Sequence, residues 1–183
     1  MALVNKGMTL DQLNRWDEAI VAYDEVIERF RDAAEPAVRE RVALALVNKG
    51  VALGQLNRSD EAIAAYDEVV GRFQDATEPA VCEEVAAALV YKGVTLDRLE
   101  RCGEEIAVYD RLIARFQDAT EPVLREQVAK ALFYKVAALS ELDRSDEAIA
   151  ACDEMIARFQ DATEPAVREL VEDVRRLQGE ITK

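Results

Sequence analysis

The octapeptide "RFQDATEP" stands at 72–79, 115–122 and 158–165, and a close variant, "RFRDAAEP", at 29–36. Phe30, Phe73, Phe116 and Phe159 therefore recur every 43 residues. Gly7, Gly50 and Gly93 keep the same step, with Val136 in the fourth place, as do Glu18, Glu61, Glu104 and Glu147. A register held through four copies without an insertion defines an array, in which each unit contacts mainly its neighbours. The units fall at about 1–34, 35–77, 78–120 and 121–163, and 164–183 remains as a terminal segment.

The unit at 35–77 reads as a helical hairpin. From Val38 to Leu56, apolar residues at Val42, Leu46, Val47, Leu53 and Leu56 step by three and four around Gly50. Ala43, Leu44, Ala45, Val51 and Ala52 fill the gaps, so this helix is packed on several sides. Pro36 suits a first turn, where its missing N–H would be unpaired anyway. In later units Thr77, Thr120 and Thr163 precede Glu-Pro and offer hydroxyl caps. "LNRSD" breaks the helix, with Ser59 as the expected N-cap and Asp60 and Glu61 in the first turn. A second helix over roughly 60–74 buries Ala62, Ile63, Tyr66, Val69, Val70 and Phe73. Arg72 stands four after Glu68, as an i,i+4 pair requires. The repeated octapeptide is then a joint. Its aromatic closes the second helix, "QDAT" makes the turn, and "EP" opens the next unit.

This hairpin resembles the tetratricopeptide repeat. That family's pattern places a large apolar residue before a Leu-Gly pair, an aromatic after it, and Ala-x3-Phe in the second helix. Here Leu46, Lys49-Gly50, Leu53 and Ala62-x3-Tyr66 occupy those places. Gly7, Ala19 and Tyr23 repeat the pattern, as do Gly93 and Tyr109 with Glu105 in place of alanine. The fourth unit has Ala148, Val136 for glycine and Cys152 for the aromatic. The unit departs from the family's usual length as an extended 43-residue variant, the additional residues lying at the joint and the start of the first helix. The Leu of Leu-Gly is lysine throughout, at Lys6, Lys49, Lys92 and Lys135, each expected to pair with a carboxylate of a neighbouring helix. The resemblance implies an all-α, right-handed superhelical solenoid of antiparallel helix-turn-helix repeats over 1–183. It also implies a protein-interaction scaffold that binds a partner segment in a preformed groove. The family's carboxylate clamp would need lysine three before the glycine and asparagine just after it; the first unit has Val4 and Met8 there, and only Asn48 matches in the next.

Between units the core positions barely change, whereas one polar face of the first helices does. It reads Asn5 and Gln12; Arg41, Asn48 and Gln55; Glu84, Tyr91 and Arg98; Gln127, Tyr134 and Glu141. Asn5, Gln12, Arg41, Asn48, Gln55, Tyr91, Arg98, Tyr134 and Glu141 are the candidate partner-binding residues, against the plain alternative of unconstrained solvent-facing positions. The tyrosines add weight, since tyrosine is enriched where interfaces concentrate their energy.

The net charge is −14 with no histidine, which argues against nucleic acid and anionic membrane surfaces and removes the commonest general base and metal ligand. No phosphate-binding glycine loop, calcium loop or nucleophile–base set is visible, so neither a cofactor nor an enzymatic activity is expected. Cys82, Cys102 and Cys152 are odd in number and far apart, which fits neither a disulfide framework nor zinc spacing. With no secretory pattern at the amino terminus, the cytoplasm is the expected compartment. Residue 2 aligns with residue 45, so the first helix lacks leading turns; head-to-tail self-association, or a role as the docking or sensor arm of a longer chain, are the other readings. Val167, Leu170, Val171, Val174, Leu177 and Ile181 form one stripe of a charged closing helix, as a solvating cap requires.

Overall fold

The computed structural model describes residues 2–182. Among them nine helices follow one another: α1 (Ala2–Gln12), α2 (Trp16–Arg29), α3 (Pro36–Gln55), α4 (Ser59–Arg72), α5 (Pro79–Asp97), α6 (Cys102–Phe116), α7 (Pro122–Glu141), α8 (Ser145–Phe159) and α9 (Pro165–Ile181). Every helix that follows a joint starts at the joint's proline. The chain divides into two compact units with the boundary inside α5, between Thr95 and Leu96. In the first, α1 packs on α2, α2 on α3 and α3 on α4; in the second, α6 packs on α7, α7 on α8, and α9 on both α7 and α8.

Proline also decides the cap. It pushes the preceding residue into extended backbone, so Glu35, Glu121 and Glu164, with ψ of 128°, 127° and 120°, stand at the N-cap. The threonines do not cap. Instead the backbone N–H groups of Thr77, Thr120 and Thr163 donate to the carboxylates of Glu78, Glu121 and Glu164 at 3.1, 3.1 and 3.0 Å.

Inside each hairpin the turn is closed by one left-handed residue, at Asn14, Asn57, Glu100 and Asp143, with φ between 54° and 59°. The N–H of the next residue then reaches back five, from Arg58 to the Leu53 carbonyl at 2.9 Å, the long bond of a Schellman closure. Arg58 thereby becomes the cap residue of α4, and Ser59 is its first helical residue, not the cap. The Arg58 guanidinium grips Glu61 through two bonds of 2.7 and 2.6 Å, and Arg15–Glu18, Arg101–Glu104 and Arg144–Glu147 repeat that grip.

The hairpin core rests on a glycine–tyrosine contact. Gly7 and Gly50 lie flat against the rings of Tyr23 and Tyr66, both buried. At the equivalent places of the fourth hairpin, Val136 and Cys152 are both buried, a larger residue facing a smaller one. All six second-helix residues expected inside, from Ala62 to Phe73, are buried. In the closing helix Val167, Val171 and Val174 are buried, while Leu170, Leu177 and Ile181 are half-buried.

The arginine of the octapeptide does not pair with the glutamate four before it. Arg72 donates to the carbonyls of Phe30 (3.2 Å) and Arg31 in the preceding joint, and Arg158 donates likewise to Phe116 (3.4 Å) and Gln117. A guanidinium satisfies more by closing two carbonyls at a helix end than by meeting one solvated carboxylate. A second arginine completes two of the joints: Arg39 lies 5.7 Å from the Phe73 ring centre and 3.4 Å from Glu78, and Arg125 lies 5.4 Å from Phe159 and 2.7 Å from Glu164. Cys82 holds the equivalent place in the third hairpin; it is half-buried, and its Sγ lies 3.3 Å from the Ala76 carbonyl.

Three of the four lysines of the column pair as expected. Lys49 meets Asp24 at 2.6 Å, Lys92 meets Asp67 at 2.5 Å, and Lys135 meets Asp110 at 2.6 Å, each reaching back to the preceding hairpin's second helix. In α9 the place is taken by Gln178, which donates to Asp153 at 2.7 Å.

Candidate functional site

The changing face of the first helices lies at the surface. In the first compact unit Asn5, Gln12, Gln55 and Tyr91 are exposed, and Arg41, Asn48 and Glu84 are half-buried. In the second, Arg98 and Glu141 are exposed, and Gln127 and Tyr134 are half-buried. Arg98 falls just beyond the end of α5, in the turn, and not on the helix. Gln12, Gln55 and Glu141 are the last residues of their helices.

Three of these residues share one position of the repeat and one neighbour. Asn48 lies within hydrogen-bonding reach of the Tyr23 hydroxyl. Tyr91 stacks on Tyr66 with ring centres 6.1 Å apart, and Tyr134 on Tyr109 at 5.8 Å. The position thus covers the hairpin's core aromatic from outside. Tyr91 still leaves 44 % of itself exposed, as a ring already held in place. An ordered aromatic of this kind loses little side-chain entropy when a partner covers it.

The buried polar groups lie beneath this face. In the first hairpin the Tyr23 hydroxyl donates to Asp11 at 2.5 Å, and burial raises the Asp11 carboxyl above its usual range. On α6, Glu105 is 3 % exposed, whereas Ala19, Ala62 and Ala148 at the equivalent places are fully buried. The Glu105 carboxyl and the Tyr109 hydroxyl are buried within hydrogen-bonding reach of each other. Burial first, then Asp97 and Glu141, push the Glu105 carboxyl up to about 7. Glu84 on α5 is also pushed to about 7, by burial and then by Glu83 and Glu40.

In the sequence Glu105 shows only as a departure from alanine, and its burial is not foreseen there. Its signal was present, as the single acid in a column otherwise made of alanine. Among the described residues no group of three or more His, Cys, Asp or Glu side chains is placed to hold a metal ion. Cys152 is buried and its thiol is pushed up to about 11, chiefly by burial.

The family model described as Tetratricopeptide repeat matches residues 4–79 and again 47–122, together well over half of the chain. The chain belongs to the tetratricopeptide-repeat family. A search of curated proteins finds no significant match. Tetratricopeptide repeats are generally protein–protein interaction modules, and no enzyme family was found for this one. No helix among the described residues is long and apolar enough to cross a membrane. The family's small-residue contact is carried here by Gly7 against Tyr23 and Gly50 against Tyr66.

Proposed function

We propose that this tetratricopeptide-repeat chain is a scaffold that binds a segment of a protein partner in a preformed groove lined by the first-helix faces. Asn5, Gln12, Arg41, Asn48, Gln55 and Tyr91 serve in the first compact unit, and Arg98, Tyr134 and Glu141 in the second. The extended 43-residue unit sets the spacing of these faces. The observation that carries this reading is the stacked pair Tyr66–Tyr91, an outward ring anchored on a buried one. A surface ordered before binding spends none of its contact energy on ordering itself. The cytoplasm suits such a protein, and its charge of −14 suits a partner that is neither nucleic acid nor membrane.

The test is selection from a random peptide display library, followed by affinity measurements on Tyr91→Ser. Selected peptides that lose about tenfold or more on Tyr91→Ser support the reading, since an aromatic hot spot is worth about 2 kcal/mol. No enrichment over an unrelated helical protein would remove it.

A second reading, self-association, is favoured by one cleft. Leu3, Val4, Val26, Phe30 and Val38, with Arg29 and Arg41, line a largely apolar space of about 340 Å³ in the first compact unit. Light scattering behind a sizing column, over a range of protein concentrations, decides it. A mass that stays at 20.4 kDa removes this reading.

A further inference from the structure

We propose that the cleft between the start of α1, the end of α2 and the start of α3 seats a helical turn of a second, different polypeptide, with the pattern Arg-Glu-x-Val-Ala. The site shares only Arg41 with the groove proposed above and does not rest on that reading.

The rest of the repeat shows what fills this space. The aromatic of the joint is buried at Phe73, Phe116 and Phe159, but Phe30 is half-buried. The apolar residue two after the joint's proline is buried at Val81, Leu124 and Val167, but Val38 is half-buried. Phe30 and Val38 both line the cleft, a largely apolar space of about 340 Å³. In the later hairpins the cover is a first turn of the hairpin's own first helix. α3 and α7 run for 20 residues, against 11 in α1. Their early turns lay Arg39 over Phe73 and Arg125 over Phe159, at 5.7 and 5.4 Å. The Val-Ala pair that follows is fully buried, as Val42–Ala43 and Val128–Ala129, and so is Val85–Ala86 in α5. In α9, which no further hairpin follows among the described residues, the alanine gives way to the exposed Glu172. The alanine is thus the residue of this turn that meets what comes next.

The charges at the cleft match the same turn. Arg39 pairs with Glu78 at 3.4 Å, and Arg125 with Glu164 at 2.7 Å. Glu35 holds that place in the first joint and has no basic partner among the described residues. Glu40 acts on Glu84 as a like charge, so the glutamate of the turn faces that position of the next first helix. In the cleft the position belongs to Arg41, which forms no ion pair among the described residues although the chain has 37 acidic ones. An incoming arginine therefore finds Phe30 and Glu35, and an incoming glutamate finds Arg41. A folded second copy has no such turn to give, because its Val-Ala pairs are buried in their own hairpins. The occupant is a helix of another chain, docked in the manner of a helix in a groove.

The probe is a capped nonapeptide with the sequence of residues 35–43, Glu-Pro-Ala-Val-Arg-Glu-Arg-Val-Ala. A staple joins the copies of Ala37 and Arg41, four apart and outside the pattern, because so short a helix does not hold in water by itself. It is titrated into the full chain and followed by amide NMR. Shifts are expected at Leu3, Val4, Phe30 and Val38. Changing the peptide's Val-Ala to Ser-Glu is expected to weaken binding at least about tenfold, since it brings a charge into an apolar contact. Arg41→Glu takes the residue of the sibling position, Glu84, so the fold accepts it. It is expected to weaken the parent peptide at least about tenfold, as facing like charges do. A peptide with lysine in place of the facing glutamate is expected to regain on Arg41→Glu the affinity that the parent has on the wild type. No shift around the cleft, undiminished binding of the Ser-Glu peptide, or an Arg41→Glu chain indifferent to the peptide's charge would each overturn the inference. So would shifts of the same amides that grow with the concentration of the chain alone, with a mass above 20.4 kDa, which give the cleft to a second copy. Library peptides that are lost on Tyr91→Ser, with no binding at the cleft, would sink this site and leave the groove standing. Binding at the cleft with library peptides indifferent to Tyr91→Ser would do the reverse.

Discussion

The ring of Tyr66 lies so close to Gly50 that a β-carbon on residue 50 would stand 2.4 Å from its Cε1. Alanine normally improves a helix interior by about 1 kcal/mol over glycine. Here overpacking costs about 1–3 kcal/mol and wins. Gly50→Ala is therefore expected to lower stability in urea unfolding. Gly71→Ala, with nothing within 4 Å of the new atom, is expected to raise it by up to about 1 kcal/mol. Gly50→Val with Tyr66→Cys copies the Val136 and Cys152 places. A double-mutant cycle is expected to show favourable coupling above about 1 kcal/mol.

Arg72 ties one joint to the joint before it. Arg72→Met keeps the stem over Phe73 but removes the donor to the Phe30 and Arg31 carbonyls. A loss of about 1–2 kcal/mol is expected, as for a hydrogen bond from a charged group. Hydrogen exchange then accelerates at Ala33, whose N–H bonds to the Phe30 carbonyl, while α7 and α8 keep their protection. Equal acceleration everywhere would mean that the link is not local.

At residue 100 a glutamate occupies the left-handed position that two sibling turns give to asparagine, Asn14 and Asn57. Asparagine tolerates that conformation and glutamate does not share the preference. Glu100→Asn is expected to stabilise the chain by about 0.5 kcal/mol, and Asn57→Val to destabilise it by more. Thermal unfolding of both variants checks the sign.

Glu84 and Glu105 give stability a pH dependence of known direction. Each carboxyl titrates near 7 when folded and at the ordinary carboxylate value when unfolded, so the folded state holds the extra protons between these limits. Their contribution is complete below about 4.5 and is lost as pH rises through 7. For Glu105 the total is about 3 kcal/mol at most, at 1.36 kcal/mol per pH unit. Glu105→Ala is expected to gain more over wild type at pH 8 than at pH 5. A gain equal at both pH values would show that the carboxyl titrates normally.

The hairpins, their buried columns and the lysine pairs were legible because each repeated residue has a repeated partner. Lys49, Lys92 and Lys135 had one answer three times over. Caps were not legible in this way. Ser59 and Thr77 are good capping residues, but the left-handed Asn57 and the prolines moved the cap to Arg58 and to the glutamates. Arg72 was read against Glu68 because a helix neighbour is visible in the chain, while a carbonyl 41 residues back is not. Of the candidate face, Asn5, Gln12, Gln55, Tyr91, Arg98 and Glu141 are exposed, while Arg41, Asn48, Glu84, Gln127 and Tyr134 are half-buried. The raised carboxyl of Glu105 was not legible, because its surroundings, Asp97, Tyr109 and Glu141, come from three helices and only packing brings them together.

The donors and acceptors of the joints lie 41 residues apart along the chain, Arg72 on Arg31 and Arg158 on Gln117. Adding or removing a whole 43-residue block keeps that spacing. An insertion of any other length between an arginine and its acceptor changes that spacing and breaks the bond. The lineage of such a chain can therefore change its length in whole blocks far more readily than by single residues, and its gene is expected to carry duplications in steps of that size.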